Sequence, residues 1–109
     1  MISVVITKHK ENITSISFDG HAGYADEGYD IVCSAFSALV INTFNSIEKF
    51  TDQGFSLDMN QDGGFMVMNF TDDVMCHDCR LLVDSLMLGL DEIKQQYGDD
   101  YLSLHYKEV

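Results

Sequence analysis

Two kinds of apolar spacing follow one another along the chain, and the first is the alternation of apolar and polar residues that is typical of half-buried strands. Polar residues 9–12 separate two alternating stretches near the start and predict a hairpin. Residues 61–64 contain the Asp and Gly of a tight turn and predict a second hairpin. The five predicted strands cover residues 2–7, 13–19, 55–60, 65–70 and 101–107.

The second kind of spacing repeats every three or four residues and predicts two helices. The first helix is predicted over residues 31–50, and the second is predicted to be capped by Asp72 or Asp73 and to stop at Gly98. The stripe of the second helix comprises Cys79, Val83, Leu86, Leu90, Ile93 and Tyr97. The first helix has two adjoining stripes, one of Phe36, Val40, Phe44 and Ile47, and the other of Val32, Ala35, Leu39 and Thr43.

The order ββαββαβ predicts an α+β fold, a two-layer sandwich with both helices on one face of a mostly antiparallel sheet. The short links and the 109-residue length leave room for a single domain, residues 1–109. Residues 65–68 are apolar on both faces of their predicted strand. Either the second sheet face is covered or two subunits meet there, and of these we favour a homodimer.

The charge of the chain restricts its partners. With 18 acidic and 6 basic side chains the net charge is −12, which repels nucleic-acid phosphates and anionic lipid headgroups and favours a basic polypeptide. No stretch approaches the roughly 18 apolar residues of a membrane span, so neither a membrane nor nucleic acid is an expected partner. Three cysteines, an odd number, fit a reducing cytoplasm.

The stretch "GHAGYADEGYDIVCSAFSAL", residues 20–39, combines a glycine-bearing segment with a cysteine at a predicted helix start. The three glycines, Gly20, Gly23 and Gly28, are compatible with a mobile lid or with a plain connector. With Asp30 as the N-cap, Cys33 falls in the first helical turn, where unpaired N–H groups and the helix dipole favour a thiolate and could hold an oxyanion.

His21 is the nearest candidate base for Cys33, and a Cys–His pair is a minimal nucleophile-and-base arrangement. Ser37 lies four residues after Cys33 and hence on the same helix face, where its hydroxyl could orient the imidazole or the substrate. The alternative is structural: Cys33 as a small packed residue and His21 as a surface residue.

Taken together, these residues closely resemble the signature of the ribosomal-processing cysteine proteases, which reads G-H-A, a short glycine-bearing loop, G-x-D-I-V-C and S-A-L within the helix. The chain length and element order also resemble that family's small dimeric fold. The resemblance implies a cysteine endopeptidase with His21 as base, Cys33 as nucleophile and no cofactor. It further implies that Asp30 and Ser37 support the dyad and that the loop with Gly20, Gly23 and Gly28 closes over the substrate.

The substrate that the resemblance implies is the N-terminal extension of ribosomal protein number twenty-seven of the bacterial large subunit, cut behind a pair of aromatic residues. That protein is basic, which agrees with an acidic enzyme.

Two alternatives stay open on the residues alone. One is a non-enzymatic acidic adaptor that binds a basic ribosomal protein or assembly factor.

The other alternative concerns "CHDC", in which Cys76 and Cys79 have the spacing of a zinc knuckle or a redox pair. Zinc requires four ligands, a structural site would normally show a second pair elsewhere, and the only spare histidines are His9 and His105. We therefore expect no metal, and we interpret this segment as a helix start with Cys79 facing the core.

Overall fold

A computed structural model describes residues 2–20, 27–60, 65–72, 74–98 and 100–109, with the backbone alone for residues 27–30. The order is the predicted ββαββαβ. The elements are β1 (Ile2–His9), β2 (Asn12–Asp19), α1 (Glu27–Phe50), β3 (Phe55–Met59), β4 (Phe65–Phe70), α2 (His77–Tyr97) and β5 (Leu102–Glu108).

The five strands form one mixed sheet in the order β3-β4-β2-β1-β5. β1 pairs with β2, β2 with β4 and β4 with β3 in antiparallel orientation, whereas β1 and β5 are parallel. The predicted α+β sandwich with a mostly antiparallel sheet is therefore confirmed. At one end of the sheet Phe18 of β2 is paired with Met66 of β4, which in turn is paired with Met59 of the edge strand β3.

Alternate residues of the strands face the helices and build the core. Ile2, Val4 and Ile6 of β1 are at most 3% exposed, while the residues between them are only partly buried. Both helices contribute the stripes that their spacing predicts, since Val40, Ile47, Val83 and Leu90 are buried and Tyr97 is half-buried. The helices thus cover one face of the sheet, as the period-two and period-3.6 patterns require.

α1 begins at Glu27, upstream of its predicted start at residue 31. The prediction that Asp30 is the N-cap is therefore wrong, because Asp30 lies inside the helix. Gly28, predicted to lie in the loop, is also helical. The physical reason is that acidic residues are favourable within a first turn as well as at a cap, so the start of the apolar stripe does not define the start of the helix.

α2 begins later than predicted, at His77, with Cys76 as its N-cap. The prediction that Asp72 or Asp73 is the cap is wrong, and Asp73 lies outside the described residues. The Asp72 carboxylate instead accepts hydrogen bonds from the backbone N–H of Gly54 at 3.0 Å and from Gln53 Nε2 at 3.1 Å. Asp72 thereby fixes the entry to β3 rather than the start of a helix. Gly98 ends α2 as predicted, with φ 101°.

Part of α1 is long and apolar enough to cross a membrane. Ile31–Phe50 has a mean hydropathy of 1.3, so the expectation that no stretch approaches a membrane span is wrong for α1 on that measure. Core helices meet the same criterion, and here Val32, Val40 and Ile47 are at most 1% exposed against the sheet and α2. This packing accounts for the apolar composition of α1.

Candidate active site

Cys33 is the seventh residue of α1 and lies in the second turn of the helix. It is 5% exposed and carries a reduced thiol. Ser37 follows one turn later and is exposed. Residues four apart share a helix face, and both lie within α1, so the role predicted for the Ser37 hydroxyl beside Cys33 stays a prediction.

The carboxyl end of β2 packs against the same part of α1. The ring of Phe18 lies edge-on to the ring of Phe36 at 5.6 Å between centroids, and Phe36 is one turn after Cys33. A second edge-on contact joins Phe18 to Phe44 at 6.0 Å. β2 ends at Asp19, so the chain leaves the sheet next to the turn of α1 that carries Cys33.

A groove of about 630 Å³ lies between α1 and the β3–β4 edge of the sheet. Its lining is mainly apolar, and Glu48 adds a carboxylate at the side of α1. Near the Phe18 end of the sheet it is bounded by the paired residues Met59 and Met66. The residues that α1 contributes follow Cys33 and Ser37 along nearly the same face: Ile41, Phe44, Asn45 and Glu48.

The other residues of the predicted site divide between described and undescribed positions. Gly20 directly follows β2 with φ 155°, in a region that favours glycine. The backbone of Asp30 is helical and precedes Cys33 by three residues. His21 and Gly23 lie outside the described residues, so the structure gives no distance between His21 and Cys33.

The upstream start of α1 changes the electrostatics expected at Cys33. Only the first four N–H groups of a helix lack intrahelical partners, and the dipole effect falls off within the first turn. As the seventh residue, Cys33 is beyond both. The prediction that Cys33 lies among unpaired first-turn N–H groups is therefore wrong, and a base or cation near its thiol has to contribute more of the activation.

The "CHDC" segment forms the start of α2. Cys76 is exposed, and its Sγ accepts a hydrogen bond from the backbone N–H of Cys79 at 3.4 Å. Cys79 is fully buried, and burial, followed by the charges of Cys76 and Asp72, raises the pKa of its thiol to about 12. The prediction that Cys79 faces the core at a helix start is confirmed. Among the described residues no three His, Cys, Asp or Glu side chains come together as a metal site.

The fold and the position of Cys33 define a class: a small α+β protein with a cysteine in the second turn of its first helix, on a helix face that leads to an apolar groove. The chain matches the family Peptidase_Prp, described as Cysteine protease Prp, over residues 1–102. It therefore belongs to that family and is a cysteine-type peptidase of ribosomal processing. This membership favours the peptidase over the acidic adaptor.

Comparisons with individual proteins agree with this family membership. The chain is 29% identical over 108 residues to the ribosomal processing cysteine protease Prp of Staphylococcus aureus strain Mu50, covering 98% of this chain and all of the relative. The crystal structure of an S. aureus Prp with a covalently linked product peptide matches with a TM-score of 0.87 at 29% identity, over 98% of this chain and 100% of the other. A second S. aureus Prp structure, with a substrate peptide, matches with a TM-score of 0.88 at 28% identity and the same coverage.

Sequence reasoning did not find the groove. Ile41 is 54% exposed and lies outside both predicted stripes of the first helix, which is the one signal that a further apolar surface is present there. Gln53, 7% exposed, was also missed. Its role depends on partners on two other segments, and nothing in its local sequence indicates them.

Proposed function

We propose that this peptidase removes the N-terminal extension of ribosomal protein number twenty-seven of the large subunit, and so supports ribosome assembly in the cytoplasm. The observation that carries the proposal is the position of Cys33. It lies on a face of α1 that continues into an apolar groove, and the end of β2 packs beside it. His21 follows Phe18 by three residues in the sequence, and we assign it the role of the base.

In the proposed reaction His21 takes the proton of the Cys33 thiol, and the thiolate attacks the carbonyl carbon of the scissile peptide bond. The C–N bond breaks, the leaving amine takes the proton from the imidazolium, and a thioester links the substrate to Cys33. Water then attacks the thioester while His21 accepts its proton. The carboxylate product leaves, and the Cys33 thiol is restored with that proton.

The proposed substrate agrees with the chemistry of the surface. A net charge of −12 attracts a basic polypeptide, and the groove offers an apolar surface to the aromatic pair that precedes the cut. The S. aureus relative was crystallised with a substrate peptide and with a covalently linked product peptide. A covalent peptide adduct is the kind of species that nucleophilic catalysis forms.

The test is cleavage of a peptide that spans the extension junction, followed by mass spectrometry. We expect a single cut by the native chain and none by Cys33→Ala. Cys79→Ala, which truncates another buried cysteine, is the matched control and should retain cleavage. Equal cleavage by Cys33→Ala and the native chain would refute the proposed nucleophile.

The role of His21 is tested by alkylation of Cys33 with iodoacetamide at neutral pH. We expect a fast reaction at Cys33, slowed in His21→Ala by the loss of the proposed base. His105→Ala is the control, because His105 lies on the terminal strand β5. If both histidine variants react at the native rate, His21 is not the base.

We also propose that the chain acts as a homodimer. Phe65 is 41% exposed at the start of β4 and leaves an apolar side chain available for a second subunit. Light scattering should give twice the chain mass of 12.3 kDa. A single-chain mass at micromolar concentration would contradict the dimer.

A further inference from the structure

The start of α2 holds two cysteines that the peptidase mechanism does not use. Cys76 is the exposed N-cap, and Cys79 is the buried third residue of the helix. The backbone N–H of Cys79 donates to Cys76 Sγ at 3.4 Å, which holds the first sulfur over the turn that carries the second. One thiol is therefore accessible to a soluble reagent, and the other is shielded directly behind it.

The spacing allows a disulfide without unwinding the helix. Residues three apart on a helix have Cα atoms about 5 Å apart, and disulfides span about 4.4–6.8 Å between Cα atoms. The N-cap has φ −67° and ψ 156°, so its side chain already points back over the first turn. The expected Cα separation of the two cysteines therefore lies within the range of a disulfide.

The surrounding polar groups give the two sulfurs different roles. A thiolate at Cys76 accepts the N–H bond from Cys79 more strongly than a thiol does. Burial first, and then the negative charges of Cys76 and Asp72, keep the pKa of Cys79 high and its thiol protonated. A Cys76 sulfur bonded to another sulfur carries no charge, so in that state Cys76 no longer contributes to the raised pKa of Cys79.

This pair is remote from Cys33. The segment before α2 is tied to the first residue of β2, since the Met75 backbone N–H donates to Asn12 Oδ1 at 2.9 Å. Phe18, near the other end of β2, packs beside the Cys33 turn. The intervening strand spans on the order of 20 Å. Chemistry at the start of α2 is thus separate from chemistry at Cys33.

We propose that Cys76 and Cys79 form a redox-active dithiol that is oxidised by a low-molecular-weight disulfide such as oxidised glutathione. The Cys76 thiolate attacks one sulfur of the reagent, forming a mixed disulfide and releasing one glutathione thiolate, which takes up a proton. The Cys79 thiol loses its proton to solvent and attacks Cys76 Sγ, releasing the second glutathione. Two protein thiols are oxidised and one glutathione disulfide is reduced to two thiols.

The test uses the full chain with Cys33→Ala, so that only Cys76 and Cys79 remain of the three cysteines. The folded protein is incubated with oxidised glutathione, quenched in acid and analysed by intact mass and peptide mapping. We expect the loss of two hydrogen atoms and a Cys76–Cys79 link. Reduced glutathione in excess should reverse the change.

Two further variants in the same background separate the roles. With Cys79→Ala we expect a glutathione adduct that persists on Cys76, because nothing resolves it. With Cys76→Ala we expect adduct formation at the buried Cys79 to be at least about tenfold slower. Stable adducts on both cysteines of the Cys33→Ala protein, or no reaction of that folded protein, would overturn the proposal even if a double variant did not fold.

Discussion

Replacing Gln53 by alanine removes a buried amide that joins three segments of the fold. Gln53 Oε1 accepts from the backbone N–H of Cys76 at 2.8 Å. Its Nε2 donates to Asp72 Oδ2 at 3.1 Å and to the Gly54 carbonyl at 3.3 Å. The side chain is thereby the connection between the entry to β3, the segment after β4 and the start of α2.

The magnitude follows from these bonds. Each hydrogen bond contributes about 1 kcal/mol net, and a buried donor left without its acceptor costs about 1–3 kcal/mol. The Cys76 N–H loses its acceptor, whereas Asp72 keeps the bond from the Gly54 N–H at 3.0 Å. We therefore expect Gln53→Ala to lower the free energy of unfolding by about 2–3 kcal/mol. For a domain of this size that lowers Tm by about 10 °C.

The assay is urea and thermal unfolding followed by circular dichroism at neutral pH. Gln95→Ala is the matched control, because Gln95 is exposed and its Nε2 donates one hydrogen bond, to Asp91 Oδ2 on the same helix. This control should cost about 0.5 kcal/mol or less. If Gln53→Ala is no less stable than Gln95→Ala, Gln53 does not connect these segments in the way described.

Three further outcomes are expected. Burial and neighbouring negative charge raise the pKa of the Cys79 thiol, so between about pH 9 and about pH 12 the thiol stays protonated only in the folded state. Over that range the free energy of unfolding of the native chain should fall by up to about 4 kcal/mol relative to that of Cys79→Ala. Parallel pH profiles of the two proteins in urea titrations would contradict the raised pKa. Gly98→Ala places a side chain at φ 101° and should lower the free energy of unfolding by about 1–3 kcal/mol. Unchanged stability would show that the end of α2 adopts another backbone conformation without cost. Phe18→Leu removes two edge-on ring contacts and should cost about 1–3 kcal/mol in urea unfolding, with Phe50→Leu, 69% exposed, as a near-neutral control; equal stability of these two variants would exclude a role for the ring contacts.

The sheet and the helix stripes could be predicted from the sequence because each has one buried face. Ile2, Val4 and Ile6 alternate with partly exposed neighbours, and a shift of one residue would turn all three away from the helices. β4 was predicted with its observed bounds, Phe65–Phe70. The burial of Val83 and Leu90 follows in the same way from their spacing in α2.

The helix starts could not be predicted, because several residues near each start are able to act as caps. Asp72 is a good cap by type, but its carboxylate binds the Gly54 N–H across the fold. Cys76, a poorer cap by type, takes the position because the preceding segment is held by Gln53 and Asn12. These are long-range contacts, and local sequence does not reveal which candidate they leave free.

The observed start of α1 changes which group is expected to activate the Cys33 thiol. The sequence offers two sources of activation for its thiol, the field of a helix N-terminus and an adjacent imidazole. A start at Glu27 places Cys33 in the second turn, where the field of the helix N-terminus is weak. Activation by a base therefore carries more of the chemistry than the N-terminal field does. His21, two residues along the chain from the end of β2 at Asp19, is the residue that we propose supplies this base.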